Sequence, residues 1–205
     1  MLPDNSLRIG AVVLAAGLSS RMGVQKLLLP WKGKTVIETV VDTLIQTRIT
    51  EIVVVTGRDA EQIASSLKSK PVQIIYNPDF ADGNMVTSLR TGLKALRNRV
   101  DAILMVLADQ PQMMETTVQA LVDEWNQNQN SLCIPSYQMR RGHPWVIPAR
   151  LWDNLNNLDS HQTMRDFIRI NVQEIWYVVV ETPTILADLD TPEDYEQQKN
   201  ISGIG

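Results

Sequence analysis

Cysteine occurs once in this chain, as Cys133, so no internal disulfide can form, and no CxxC or His-rich spacing surrounds it to suggest zinc. A reducing cytoplasm fits that usage, and Cys133 reads as a small buried hydrophobe. Aromatic residues make up only 5% of the sequence. Trp31, Trp125, Trp145, Trp152 and Trp176 are scattered and have no basic stripe beside them, which excludes the stacking platform of a single-stranded nucleic-acid binder and leaves them as packing residues. Positive charge is also short: 19 basic residues against 23 acidic ones give a net charge of −4, so no general field attracts nucleic acid or an anionic membrane. Any anion must be held by a local site. No apolar run approaches the roughly 18 residues that span a bilayer, and Met1-Leu-Pro-Asp lacks the basic-then-apolar layout of a signal peptide.

What remains is a chain of 205 residues, 44% hydrophobic, with no repeat, low-complexity tract or linker, enough for one large core and expected to form a single domain over 1–205. Four short runs rich in β-branched residues, 9–14, 51–55, 72–75 and 102–107, read as parallel strands buried on both faces. Helical spacing separates them: Val36, Ile37, Val40, Val41, Leu44 and Ile45, then Ile63 with Leu67, then Met85, Leu89, Leu93 and Leu96. This β-α-β-α-β-α-β order predicts an α/β fold, a Rossmann-like open, mostly parallel sheet flanked by helices, with ligands at the carboxyl ends of the strands. Beyond Leu107 the pattern is less regular. Helices are expected at 115–126, 149–155 and 163–170, strands at 131–134, 145–147 and 175–180, and a last helix opening at Thr191-Pro192, before a frayed tail at 200–205.

The residues just after the first run are small, Ala15, Ala16 and Gly17, followed by Ser19, Ser20, Arg21, Gly23 and Lys26. Small residues let backbone N–H groups approach a ligand, and an arginine and a lysine add charge-assisted hydrogen bonds, a combination suited to polyphosphate. The spacing is neither GxGxxG nor GxxxxGK[ST], so it is not a dinucleotide fingerprint or a Walker loop, and a plain βα turn with a solvated Arg and Lys stays open. Asp109 follows the fourth strand. It either holds a cation in the crevice, or caps the helix after Pro111, or merely begins a turn. Asp188 and Asp190 precede the last helix, where one of them or Thr191 is its N-cap. The Arg140-Arg-Gly-His-Pro144 segment reads as a solvent-facing hairpin turn in which Gly142 supplies a positive φ. His161 reads as a helix start, and Met113 and Met114 as pocket or core filling.

The segment Leu14-Ala-Ala-Gly-x-Ser-x-Arg-Met-Gly-x-x-Lys26 resembles the signature of the MobA-like NTP transferase family. The segments 77–83, 88–92, 107–111, 141–144 and 188–195 are similar to its molybdenum cofactor cytidylyltransferase branch. The resemblance implies an N-terminal half, about 8–111, that binds nucleotide through Leu14, Ala15, Ala16, Gly17, Ser19, Arg21, Gly23, Lys26, Gly83 and Ser88. Arg21 and Lys26 would lie on the triphosphate and, with Asp109, form the catalytic set. Mg²⁺ would be held by Asp109 with Asp190, or else Asp188. A C-terminal half, about 112–199, would bind the acceptor through Arg141 and His143. Where many of these cytidylyltransferases carry a Gly-rich, acidic turn, this chain has Ser160-His-Gln-Thr163.

The implied reaction passes CMP from CTP to a phosphorylated pterin, molybdopterin with its molybdenum, and releases pyrophosphate. A molybdoenzyme or its chaperone would be the recipient of the product. Ala15-Ala16-Gly17 goes with CTP in the resembling enzymes and Ala-Gly-Gly or Gly-Gly with GTP; a methyl at 16 would fill space a purine needs. Two other functions suit the same residues: transfer to a sugar phosphate or other alcohol phosphate, and a non-catalytic carrier of nucleotide or pterin. Two acids meeting around a metal would repel each other without it, so Asp109→Asn is expected to leave the metal-free protein as stable or slightly more so.

Overall fold

The computed structural model describes residues 8–18, 22–81, 84–128 and 131–202. The N-terminal half runs β1 (Ile9–Ala15), β2 (Pro30–Trp31), β3 (Lys34–Thr35), α1 (Val36–Ile45), β4 (Glu51–Thr56), α2 (Ala60–Ser66), β5 (Gln73–Tyr76), α3 (Met85–Leu96) and β6 (Ala102–Leu107). The remainder runs α4 (Glu115–Gln127), β7 (Leu132–Tyr137), β8 (Arg140–Arg141), β9 (Trp145–Pro148), α5 (Trp152–Asn156), α6 (Met164–Ile170), β10 (Ile175–Val179) and α7 (Pro192–Ile201). The expected elements are present, with boundaries moved by a few residues.

One sheet holds the strands in the order β10-β7-β9-β6-β1-β4-β5, with β8 paired to β7, and β2 with β3 forms a separate hairpin. β6, β1, β4 and β5 are mutually parallel, as are β7 and β10, whereas β9 runs antiparallel to both β6 and β7. The chain leaves β1 for β4 and β5 on one side, then returns to lay β6 on the other. That reversal opens a crevice at the carboxyl ends of β1 and β6, the usual place for a ligand in an open α/β sheet.

Strand alternation divides the core into two layers. Ile9, Ala11, Val13 and Ala15 of β1 face a cluster with Val36, Val40 and Leu44 of α1, Leu121 and Trp125 of α4, and Tyr195 of α7. Val12 faces the other cluster, with Leu89, Leu93 and Leu96 of α3 and Phe167 of α6. Four of the tryptophans are buried, Trp176 is half-exposed, and Cys133 is fully buried. Thr35 and Thr191 open α1 and α7 with capping boxes to Glu38 and Asp194, so Thr191, and neither Asp188 nor Asp190, caps the last helix. His161 does not start a helix: α6 begins at Met164 with Thr163 as its cap. Among the described residues no helix is long and apolar enough to cross a membrane.

Two expectations about the 138–144 region need correction. Arg140 and Arg141 are a strand paired with Tyr137 and Ser136, and the turn is made by Gln138 and Met139, at φ 48° and 63°. Gly142 has no positive φ. It is glycine because a Cβ there would lie 2.2 Å from the carbonyl oxygen of Ile185, so the segment is pressed against 183–186 and is not a free hairpin tip.

Gly92 serves the same purpose between α3 and the sheet, since a Cβ on it would sit 2.4 Å from Val12 Cγ1. Gly92→Ala is therefore expected to destabilise the protein, because overpacking against a buried β-branched side chain costs about 1–3 kcal/mol and outweighs a helix-propensity gain of up to about 1 kcal/mol. Gly17→Ala, whose added methyl meets nothing within 4 Å, should change stability by less than about 0.5 kcal/mol. Urea denaturation of both variants checks this; a higher midpoint for Gly92→Ala would refute the close approach.

Candidate active site

A cleft of about 570 Å³ opens at the carboxyl ends of β1 and β6. Leu14, Ala15, Ala16 and Gly17 form one wall, Asn84, Met85 and Ser88 at the start of α3 another, and Asp109, Asp188 and Asp190 the floor. Lys26 enters from a single 3₁₀ turn, Lys26–Leu28, whose N-cap Gln25 reaches across to the Asp59 carboxylate. A larger cavity of about 630 Å³, lined by Arg8, Lys94, Arg97 and Trp152, lies at the opposite ends of these strands, away from the acids.

The cleft is organised around one ammonium group. Lys26 Nζ donates to Asp109 Oδ2 at 2.5 Å and to Asp190 Oδ1 at 3.1 Å, with the Lys26 and Asp109 side chains only 12% and 20% exposed. Burial by itself would lower the lysine's pKa, but the adjacent Asp109 and then Asp190 outweigh it and hold the pKa above its usual 10.5. Lys26 is thus firmly cationic. The Asp188 carboxyl turns elsewhere and accepts from Gln110 Nε2 at 2.7 Å, its pKa pushed up by burial and by its acidic neighbours despite that bond. Asp109 is no helix cap, because α4 starts at Glu115.

Two hard carboxylate oxygens from different loops converge on one cationic atom, a donor set that fits Mg²⁺. Among the described residues no group of three or more acidic, His or Cys side chains could hold a metal ion. A site of this kind would therefore be completed by phosphate oxygens and water, as Mg²⁺ sites commonly are. In the free protein Lys26 lies against both acids and offsets their repulsion, so the geometry argues for a loss of stability in Asp109→Asn.

Of the residues singled out by sequence, Leu14, Ala15, Ala16, Gly17, Lys26, Ser88, Asp109, Asp188 and Asp190 line this cleft. Ser88 is buried, and its hydroxyl accepts from Asn77 Nδ2 at 3.1 Å. Gly23 adopts φ 68° in the turn before Lys26 and does not line the cleft. Ser19, Arg21 and Gly83 lie outside the described residues. Arg141 and His143 are not among the lining residues either. Arg141 is exposed, with its guanidinium 5.8 Å from the ring centre of Tyr177. The His143 ring stacks on Trp145 at 4.8 Å, and burial lowers its pKa to about 4, so near neutrality it offers a neutral imidazole and no cation. Met113 is buried and Met114 exposed; the methionine of the cleft is Met85. Sequence reasoning gave no role to Phe80, Asn84, Gln110 or Gln112. Only Asn84 had a local signal, as an N-cap before the apolar run of α3, and its Oδ1 accepts from Val86 N at 2.8 Å.

Two measurements in metal-free buffer follow. Lys26→Met removes the ammonium shared by two carboxylates and should cost about 1–3 kcal/mol, with Asp109→Asn costing less because Lys26 keeps Asp190, and the double variant no worse than Lys26→Met. A stabilised Asp109→Asn in urea titrations would show that carboxylate repulsion dominates after all. His143 takes up a proton near its ordinary 6.5 in the unfolded chain but only near pH 4 in the folded one. The unfolded state thus binds more protons between those values, and stability should fall by about 3 kcal/mol as pH drops through that window. The His143→Gln variant should lose that share of the pH dependence; an unchanged slope would refute the burial argument.

Comparison with known proteins agrees with this geometry. The MobA-like NTP transferase domain matches residues 11–175. The molybdenum cofactor cytidylyltransferase of Escherichia coli is 26% identical over 188 residues, covering 91% of this chain and 93% of that protein. The nicotine blue oxidoreductase of Paenarthrobacter nicotinovorans is 34% identical over 150 residues, covering 70% and 72%. Among solved structures, a nucleotidyl transferase from Methanothermobacter superposes with a TM-score of 0.81 at 26% identity, covering 95% of this chain and 97% of its own. The chain belongs to the MobA-like NTP transferase domain family and is a nucleotidyltransferase.

Proposed function

We propose that this enzyme transfers CMP from CTP to molybdopterin or the molybdenum cofactor and releases pyrophosphate. The observation that carries the reading is the ammonium of Lys26 shared by Asp109 and Asp190 in a cleft walled by the small residues 14–17. The 26% identity to a cytidylyltransferase over nearly the whole chain supports the choice of substrate class. So does Ala16, 7% exposed on the cleft wall, because a methyl there would fill space that a purine needs.

In this reading a terminal phosphate oxygen of the acceptor forms a bond to the α-phosphorus of CTP while the bond from that phosphorus to the bridging oxygen of pyrophosphate breaks. The residues 14–17, with Ser19, Gly83 and Ser88, would seat the nucleotide, Gly23 would shape the turn that brings in Lys26, and Arg21 and Lys26 would bind the triphosphate and stabilise the charge that develops on its oxygens. Asp109 and Asp190 would hold Mg²⁺, which when bound neutralises phosphate charge and orients the reacting groups. The N-terminal half, 8–111, serves the nucleotide. The C-terminal half, 112–199, serves the acceptor, with Arg141 the cation on that side and His143 at most a neutral donor. The oxidoreductase among the relatives does not redirect the reading, since the segment after β1 lacks the GxGxxG spacing of a dinucleotide site.

The test is pyrophosphate release with the four NTPs, each offered molybdopterin, molybdenum cofactor and a set of sugar 1-phosphates. CTP with a pterin acceptor should give the highest kcat/KM. GTP turnover equal to that of CTP would remove the base assignment, and preference for a sugar phosphate would move the enzyme to the other acceptor class. Binding of CTP without pyrophosphate release from any acceptor would favour the carrier function.

A further inference from the structure

The loop that delivers Asp190 has almost no secondary structure of its own. Residues 187–190 lie in no helix or strand, between a 3₁₀ turn at 183–186 and the first residue of α7. Yet this loop is tied at three points to the one that follows β6. Gln110, 2% exposed, donates from Nε2 to Asp188 Oδ1 at 2.7 Å. Gln112 donates from Nε2 to the carbonyl of Ala187. The Leu189 N–H donates to the backbone carbonyl of Asp109 itself, at 3.2 Å. The ties fall on residues 187, 188 and 189, immediately before Asp190, and start from 109, 110 and 112. In each loop one carboxylate faces Lys26 while neighbouring groups face the other loop, so the fastening does not consume the Asp109 or Asp190 side chains.

We propose that Gln110 and Gln112 are positioning residues that clamp the 187–190 loop, setting the separation of Asp109 and Asp190, and that Asp188 is the anchor of this clamp and not a metal ligand. The proposal rests on the reading of Asp109 and Asp190 as the pair that holds Mg²⁺. An amide is required at 110 because it must donate: a carboxylate there would face Asp188 among the other cleft acids and drive the loops apart. Removing the donor would also take from Asp188 a hydrogen bond to a charged group, one of the stronger ties available to the loop. With the side-chain ties gone, the loops would be joined by the single Leu189 hydrogen bond, too little to fix two carboxylates at a common distance.

The test uses Gln110→Glu, Asp188→Asn and the double variant in the full chain, read in three ways. Exchange of the Leu189 amide in the metal-free protein reports the clamp directly. Mn²⁺ binding in the presence of CTP, followed by electron paramagnetic resonance, reports the carboxylate pair, and kcat with KM for CTP reports its consequence. Gln110→Glu should speed Leu189 exchange by about tenfold or more. It should weaken Mn²⁺ binding about 10–100-fold and lower kcat while KM for CTP moves little. Asp188→Asn keeps an acceptor oxygen for the Gln110 amide and should resemble the parent protein in all three. In the double variant the amide sits on the 188 side and donates to the carboxylate on the 110 side, so exchange and Mn²⁺ affinity should both recover. If Gln110→Glu does not fold, Gln110→Met removes the donor without adding charge and carries the same expectation. Unchanged exchange in Gln110→Glu, no recovery in a folded double variant, or loss of Mn²⁺ binding by Asp188→Asn alone would overturn the proposal. Retention of Mn²⁺ binding by both Asp109→Asn and Asp190→Asn would instead sink the metal reading, while Leu189 exchange would still report the clamp.

Discussion

The ammonium of Lys26 is the charge on which the cleft depends. It joins a residue of the first βα connection to acids 83 and 164 positions further along the chain, at 2.5 and 3.1 Å. A carboxylate as buried as that of Asp109 is costly unless paired, and the half-exposed carboxylate of Asp190 beside it adds repulsion. One cation between them removes both penalties. The crossover from β5 back to β6 makes the arrangement possible, because it places the ends of β1 and β6 side by side.

The rest of the fold reads as support for that meeting. Gly10 and Gly92 let α3 lie close on the sheet, which sets Ser88 and the helix start at the mouth of the cleft, where Asn77 fixes the Ser88 hydroxyl. Thr191 and Pro192 begin α7 immediately after Asp190, so the acid sits at a rigid boundary and not in the middle of a loose segment. Tyr195 of that helix packs its ring 6.1 Å from Trp31 and donates its hydroxyl to the Pro30 carbonyl at 2.5 Å, tying the end of the chain back to the β2–β3 hairpin that follows Lys26. Both flanks of the ion pair are thus anchored to the same side of the core.

On the proposed reading, charge compensation changes hands during the reaction. In the free protein Lys26 neutralises the acids; with nucleotide present the same ammonium would have phosphate oxygens to serve, and Asp109 and Asp190 would be left to hold a divalent cation, which would supply the charge compensation. The cleft contains no other cationic side chain among its described lining residues, so this economy matters. The acceptor side is built differently. Arg141 is exposed and lies over an aromatic ring, and His143 is stacked and neutral, so of these two residues only Arg141 would bring positive charge to the acceptor.

Much of this was legible in the sequence. The β-branched runs and their helical intervals fix four parallel strands and the α/β class because burial on both faces leaves a local signature. The small-residue loop with Lys26, and Asp109 past the fourth strand, stand out because ligand sites lie at strand ends. What periodicity could not reveal depends on contacts between distant segments. The antiparallel entry of β9, the pairing of Arg140–Arg141 as a strand, and the pressure of Ile185 on Gly142 leave no mark on their own residues. The division of labour between Asp188 and Asp190 was equally hidden. Two aspartates two positions apart are chemically identical as sequence, and only the tertiary structure, by setting Gln110 before one and Lys26 before the other, makes them different.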